Sequence, residues 1–318
     1  MRITVAGCGR WGSFIAWYLC RIGHAVTLYG RPGSRNMQRF LAERRNDYLT
    51  LQPELALSTD RACVAGCDVL VISVGSQSLA GLLEELRPCG AAGKKIVLCM
   101  KGLEVSTGRR LSQVVADAYG ETCPVAVWLG PGHVQEFVRG VPNCMVIDSQ
   151  STALQEELIG AFAGDLIRFY YGRDLLGNEI GAAAKNVIGI AAGVLDGLGL
   201  TTLKGALMSR GTREIARLIS AMGGNELSAY GLCHLGDYEA TVFSPHSRNR
   251  RFGEAFVQGE PFTKLAEGYY TAAALMELGQ RWKVELPICA AVYAMLYENA
   301  EPQGEIDRLF TRSLKQEF

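Results

Sequence analysis

The first twelve residues constrain the fold more than any other stretch. Arg2–Ala6 is a short β-branched run. Gly7-Cys8-Gly9-Arg10-Trp11-Gly12 follows it in the spacing GxGxxG, directly ahead of a helical pattern over Ser13–Ile22. In such a unit Gly7 permits the tight turn, Gly9 lets backbone come close to a pyrophosphate, and Gly12 lets the helix pack against the strand. The helix start then offers unpaired N–H groups and a partial positive charge to phosphate. A lone GxGxxG is weak evidence. Here the strand, the helix and a second strand, Ala25–Tyr29, all stand in order, so the segment reads as a nicotinamide dinucleotide-binding unit.

The second strand ends at Tyr29-Gly30-Arg31. A site built for NAD carries an acidic residue near this point to bind the ribose 2′-hydroxyl, and none is present. Arg31, with Arg35 nearby, can meet a 2′-phosphate, so the expected cofactor is NADP(H), or both NADP(H) and NAD(H). The other reading of Arg31 is a solvated loop charge. Cys8 at the helix start reads as a small residue tolerated in a tight turn rather than as a redox thiol.

Strand and helix signals alternate through the first half. Strand runs recur at Asp68–Val74, Lys95–Met100, Val125–Leu129 and Cys144–Ile147, with helical stretches such as Leu79–Leu86 and Arg109–Tyr119 between them. That alternation implies a parallel sheet covered on both faces. After about Tyr171 the pattern turns helical: Leu175–Leu198, Gly205–Met222, Gly268–Trp282 and Pro287–Glu298. The expected fold class is α/β, an N-terminal Rossmann doubly wound sheet over residues 1–172 followed by an all-helical substrate domain over 173–318.

Lys+Arg and Asp+Glu both number 32, so no strong field steers the chain to nucleic acid or anionic membranes. The most apolar run, Val187–Leu195, is too short to span a bilayer. No export signal precedes the first strand, and the ten cysteines form no CxxC pair. These features predict a cytoplasmic protein with reduced thiols, no structural zinc and no membrane span.

Further along, whole phrases resemble the bacterial-type NAD(P)-dependent glycerol-3-phosphate dehydrogenase family. Asn46 and Tyr48-Leu49 are similar to its N-x-x-Y-L segment, shifted by one residue. Lys101-Gly102-Leu103-Glu104 resembles its KGLE turn, and Gly130–Glu136 its GPSFAxE segment. Gly181–Asn186 matches GxxxKN, Gly236-Asp237 its GD, Ser247–Gly253 its SRNRRFG, and Glu267–Ala272 its EGYYTA. The resemblance runs over nearly the whole chain. It implies reversible reduction of dihydroxyacetone phosphate to sn-glycerol 3-phosphate by a homodimer serving glycerophospholipid synthesis.

The chemistry of the residues agrees with that expectation. Reducing a carbonyl builds negative charge on oxygen, which calls for a proton donor beside it and positive groups around the substrate. Lys185 interrupts an apolar helix and is flanked by Gly181, the alanines 182–184 and Gly189, so it is read as a partly buried general acid/base with a lowered pKa. Asp237 orients Lys185 or binds a substrate hydroxyl. Lys101 follows a strand at the carboxyl edge of the sheet, where ligands of open α/β sheets bind. Ser247, Arg248 and Asn249 offer a hydroxyl, a guanidinium and an amide to a phosphate. Arg250 and Arg251 read as solvated charges, and His133 as a loop residue. The resemblance adds Gly130 and Gly132 to the substrate contacts. It adds Arg10, Trp11, Lys101, Val134, Arg248 and Glu267 to a cofactor set that already holds Gly7, Gly9, Gly12 and Arg31. For Trp11 a core role is the competing reading.

Several positions depart from the family pattern. Arg10 replaces a serine, Gly132 a serine or asparagine, Val134 a small residue and Gly75 a proline. Gly199–Lys204 stands where a longer G-D-N-A-K loop is usual. These departures leave open a related dehydrogenase for another phosphorylated hydroxy compound, and a cofactor-binding sensor without turnover.

Overall fold

A computed structural model of the chain describes residues 1–314 and 316. Eight strands form one sheet: β1 Arg2–Ala6, β2 Ala25–Tyr29, β3 Ala56–Ser58, β4 Val69–Ile72, β5 Lys95–Leu98, β6 Val125–Leu129, β7 Asn143–Ser149 and β8 Ile167–Tyr171. Their order across the sheet is β3-β2-β1-β4-β5-β6-β7-β8. Every neighbouring pair is parallel except β6 and β7. The chain doubles back in strand order between β1 and β4, and a crevice at that switch point is where open α/β sheets bind ligands. The central strand β4, Val69–Ile72, is apolar throughout and wholly buried, as cover on both faces demands.

Among the described residues twelve α-helices accompany them. In the first half these are α1 Arg10–Arg21, α2 Arg35–Glu43, α3 Leu79–Leu86, α4 Leu111–Tyr119, α5 Val134–Val138 and α6 Thr152–Phe162. Then come α7 Leu175–Gly197, α8 Lys204–Ala221, α9 Arg248–Gln258, α10 Glu267–Trp282, α11 Pro287–Tyr297 and α12 Pro302–Phe310. The chain divides into two compact units, Met1–Lys101 with Arg109–Glu179, and Gly102–Gly108 with Ile180–Phe318. The first carries the whole sheet, and no strand is assigned among the described residues of the second.

The core of the sheet unit is aromatic as well as aliphatic. Trp128, Tyr18, Phe14, Phe137 and Phe162 are fully buried. Tyr18 donates from its hydroxyl to the Phe162 carbonyl at 2.6 Å, so its polar end is satisfied inside the core.

The helical unit is organised around α7. By length and composition this 23-residue helix could cross a bilayer, yet 83% of its most apolar window is buried within the protein. That is the packing of a core helix. On one face, residues four apart form a stripe: Gly181, Lys185, Gly189, Gly193 and Gly197. A methyl group on Gly193 would overlap the Arg250 carbonyl oxygen of α9, and one on Gly253 of α9 would overlap the Ile190 carbonyl oxygen of α7. The two helices thus meet backbone to backbone, glycine opposite helix.

This crossing yields a stability prediction. Gly253→Ala must push α9 off α7 and is expected to destabilise the protein by about 1–3 kcal/mol, the usual range for overpacking. Gly205→Ala, at an exposed position in the first turn of α8 with open space around the new methyl, is expected to be neutral or stabilising by up to about 1 kcal/mol. Urea unfolding of the two variants checks the contrast.

Candidate active site

In the sheet unit the glycine-rich turn joins β1 to α1 at the switch point. Gly7 has φ of +119°, and a side chain there would overlap the Ser73 carbonyl oxygen just past β4. A methyl on Gly12 would overlap the Gly7 carbonyl oxygen, so α1 starts against the turn only because both positions are glycine. Around Gly9 there is open space where a side chain would stand. Gly9 caps α1 without a side chain, and the first turn of α1 contains no acid. A helix start left clear of side chains in this way has the geometry that can hold a pyrophosphate.

At the carboxyl end of β2, Gly30 is buried. A methyl there would sit 2.7 Å from Cys8 Sγ and 3.0 Å from Met37 Cβ. Cys8 itself is buried, with its sulfur 3.1 Å from Ser34 Oγ. The sulfur therefore occupies the volume in which an acidic side chain at the strand end would begin. Arg31 is exposed and has no partner among the described residues, which fits a 2′-phosphate ligand and a solvated loop charge alike.

The remaining residues of this unit cluster near α1 and β6. Trp11 is half-buried against Phe14 and Phe137, with ring centroids 5.1 and 6.2 Å away. Its indole nitrogen is buried with no acceptor among the described residues. The residue thus joins the core packing and still keeps a donor for a bound group. Lys101 lies past β5 and donates from Nζ to the Gly130 carbonyl at 2.6 Å, with the same ammonium 6.0 Å from the Trp11 ring. Arg10 opens α1, and its guanidinium lies over the Tyr48 ring. Val134 is buried at the start of α5, and His133 is the buried cap residue before it. Gly132 has φ of +139°, and a side chain there would overlap the Phe137 ring, which stacks on Phe14 at 4.8 Å. The missing hydroxyl or amide at 132 is thus matched by an aromatic ring that fills its place.

In the helical unit Lys185 is the centre of a buried polar cluster. Its side chain is 9% exposed and lies 2.8 Å from Asp237 Oδ2, whose side chain is 2% exposed. It also donates to Thr241 Oγ1 at 2.8 Å. Asp237 ends a short 3-10 turn, Leu235–Asp237, and Thr241 sits in the π-type turn Glu239–Phe243 that follows. The glycine stripe of α7 lets both turns approach, since a methyl on Gly189 would lie 2.7 Å from Thr241 Cγ2. The negative carboxylate compensates the ammonium that the helix has withdrawn from water. His234 is fully buried nearby; its Nδ1 faces the Gly181 carbonyl at 2.8 Å and its Nε2 faces the Tyr238 hydroxyl at 2.7 Å. A carbonyl only accepts, so Nδ1 carries the proton and Tyr238 donates to Nε2. Burial pushes the His234 pKa down to about 4, so the ring stays neutral and does not compete with Lys185 for the role of cation.

The Ser247–Asn249 turn divides into distinct roles. Ser247 caps α9, its Oγ accepting from the Arg250 N–H at 3.3 Å. Arg248 is half-buried and has no partner among the described residues. Asn249 bridges helices: its Nδ2 donates to Asn186 Oδ1 at 2.9 Å and its Oδ1 accepts from the Gly268 N–H at 3.0 Å. Glu267 opens α10 beside that bond. Arg251 is exposed as expected, whereas Arg250 is not a solvated charge. Its side chain is 17% exposed, with Nε 2.7 Å from Asp196 Oδ2 and a second contact to Glu254.

Two family descriptions cover the chain: NAD-dependent glycerol-3-phosphate dehydrogenase N-terminus over residues 2–155, and the C-terminus of the same enzyme over residues 174–307. The chain belongs to the NAD-dependent glycerol-3-phosphate dehydrogenase family. It is 38% identical to the glycerol-3-phosphate dehydrogenase [NAD(P)+] of Bradyrhizobium sp. (strain ORS 278) over 322 residues, covering 99% of this chain and 98% of that protein. It is 35% identical to the one from Pelodictyon phaeoclathratiforme, covering 100% of this chain and 99% of that protein. The crystal structure of glycerol-3-phosphate dehydrogenase from Coxiella burnetii superposes with a TM-score of 0.91 at 30% identity, covering 98% of this chain and 99% of that one. With this family come the Rossmann sheet and the NAD(P) cofactor class.

Three residues outside the sequence-based set join these clusters. Thr241 follows Asp237 by four residues, and the π-type turn after the 3-10 turn brings it to the lysine. Asn186 adjoins Lys185 and anchors Asn249. Asp196 gathers Lys204 and Arg250, residues that lie far apart along the chain.

The buried pair carries a measurable consequence. Asp237→Ala strands an ammonium in the interior, and the expected loss of stability is about 3–5 kcal/mol in urea unfolding. Lys185→Met combined with Asp237→Asn removes both charges and is expected to recover most of that loss. A double variant as unstable as Asp237→Ala would show that shape, rather than charge pairing, dominates here.

Proposed function

We propose that this chain reversibly reduces dihydroxyacetone phosphate to sn-glycerol 3-phosphate with NADPH or NADH, using Lys185 as the general acid/base. The observation that carries the reading is the buried Lys185 ammonium, held between Asp237 Oδ2 and Thr241 Oγ1 at 2.8 Å each. Family membership supplies the substrate and the cofactor class.

The bound reduced nicotinamide supplies the hydride. The chain supplies everything else. Gly7, Gly9, Arg10 and Gly12 hold the pyrophosphate at the start of α1, Trp11 and Val134 border the nucleotide, and Arg31 meets the 2′-phosphate. Glu267 and Arg248 complete the cofactor set. The family resemblance supports Lys101, Gly130 and Gly132 as substrate contacts. Arg248 is the principal phosphate ligand, because its guanidinium is uncommitted, with the Ser247 hydroxyl beside it. Asn249 supports that turn through α7 and α10, with one amide hydrogen left for the phosphate.

In reduction, charge grows on the carbonyl oxygen and Lys185 Nζ gives it a proton. Asp237 fixes the direction of Nζ and stabilises its charged form before transfer. Thr241 accepts one ammonium hydrogen, which restricts rotation about the end of the side chain. In the reverse direction the neutral amine takes the alcohol proton. Burial keeps water away from Nζ, so the proton passes between lysine and substrate.

The family resemblance further supports a homodimer, a cytoplasmic location and a place at the entry to glycerophospholipid synthesis. Light scattering of the purified protein tests the first of these.

The activity is tested by following reduced-nicotinamide absorbance with dihydroxyacetone phosphate. Rapid oxidation is expected, lost by at least about a hundredfold in kcat for Lys185→Ala, as for removal of a general acid. Tight nucleotide binding without oxidation would identify a sensor. Oxidation only with other phosphorylated ketones would identify a related dehydrogenase. Separately, Arg31→Ala is expected to raise KM for NADPH about tenfold or more while changing KM for NADH little, in line with loss of one charge-assisted contact. Equal changes for both nucleotides would reject the 2′-phosphate role.

A further inference from the structure

We infer that Asp196 is a positioning residue for the reaction, locking together the turn that orients Lys185 and the turn that presents Arg248. This inference rests on the assignment of Lys185 and Arg248 given above. Asp196 is near the end of α7, eleven residues beyond Lys185 (196 minus 185) and therefore about 16 Å along the helix axis, too far to touch the reacting atoms.

Its carboxylate is the hub of a buried charge network. Both oxygens lie 2.7 Å from Lys204 Nζ at the start of α8. Thr201 Oγ1 donates to Oδ1 at 3.1 Å. Arg250 Nε lies 2.7 Å from Oδ2, an ionic contact rather than an aligned hydrogen bond. The Asp196 and Lys204 side chains are 9% and 5% exposed. Charges this deep are not surface decoration.

Each cation leads to a different functional turn. Lys204 Nζ also donates to the Val242 carbonyl at 3.1 Å. Val242 adjoins Thr241, whose hydroxyl accepts from Lys185. The π-type turn that carries both is closed by a long bond, Ser244 N–H to the Glu239 carbonyl at 3.3 Å, so a clamp from outside matters to its shape. Arg250 lies in the first turn of α9, and its N–H is bonded to the Ser247 cap. Fixing its side chain fixes the turn that holds Arg248.

Asp196 is the shared counter-ion. Without its charge, Lys204 and Arg250 become like charges converging on one buried spot. Lys204 then shifts, the Val242 carbonyl is released, and Thr241 no longer sets the angle of Lys185. The segment Gly199–Lys204, where the chain departs from the family's usual loop, supplies two of the partners, Thr201 and Lys204.

Asp196→Asn and Lys204→Met test this in the full-length enzyme, with Lys185→Ala as the control. Asp196→Asn is expected to lower kcat about tenfold and raise KM for dihydroxyacetone phosphate severalfold, the scale of a small misplacement of catalytic groups. KM for the nucleotide should stay unchanged. Lys204→Met leaves the Arg250 side intact, so it should lower kcat and move the pH profile of kcat while KM for the phosphate substrate stays put. The double variant should be no worse than Asp196→Asn, because both changes break one linkage. Lys204→Arg should restore part of the rate.

A purely structural role predicts a lower melting temperature with kcat and its pH profile unaltered in the folded enzyme. That result in Lys204→Met overturns the proposal, and it remains decisive if Asp196→Asn does not fold. If Lys185→Ala turns over normally, the assignment of the proton donor fails instead, and the two failures are thereby distinguished.

Discussion

The helical unit depends on one arrangement, a lysine ammonium buried on a glycine-lined face of a core helix. A charge in the middle of α7 would be expelled if nothing met it. Asp237 and Thr241 meet it only because the neighbouring positions on the stripe have no side chains, so the turns carrying them can close on the helix. Packing and electrostatics are here a single constraint. The glycines bring the carboxylate within reach, and the carboxylate makes the burial of the lysine tolerable.

The sheet unit solves a different problem by a related means. A phosphate needs backbone N–H groups unobstructed by side chains, and the turn after β1 removes side chains at each point where one would intrude. The geometry of that turn is fixed by contact with Ser73 beyond β4, so the switch point of the sheet and the cradle form one feature. Carbonyl reduction requires both inventions: a surface that accepts an anionic nucleotide, and a desolvated acid with a fixed direction.

The sequence made local features legible and left tertiary pairings hidden. GxGxxG is a contiguous signal, and β1, β2 and β6 fall where the alternation predicts them. Lys185 stood out because a cation in an apolar helix is anomalous anywhere. The short β3 and the half-exposed β8 were not anticipated: one has three residues, and the other keeps a tyrosine pair exposed at the sheet edge. Arg250 reads from the sequence as a solvated charge on the helix that follows the Ser247–Asn249 turn. Its partner Asp196 lies on another helix, and only folding brings the two together. Asn249 looked like a phosphate ligand, yet most of its amide serves to tie α7 to α10. Residue type indicated which groups could bind an anion, but not which of them the fold had already engaged.

The pairing of Cys8 with Gly30 has an evolutionary side. Because the sulfur fills the volume that a side chain at the end of β2 would need, the two positions cannot change independently. An aspartate arriving first at position 30 collides with the thiol, and a smaller residue arriving first at position 8 leaves a void under the turn. Substitutions at these two positions, far apart in the chain, are therefore expected to be accepted in pairs more readily than singly.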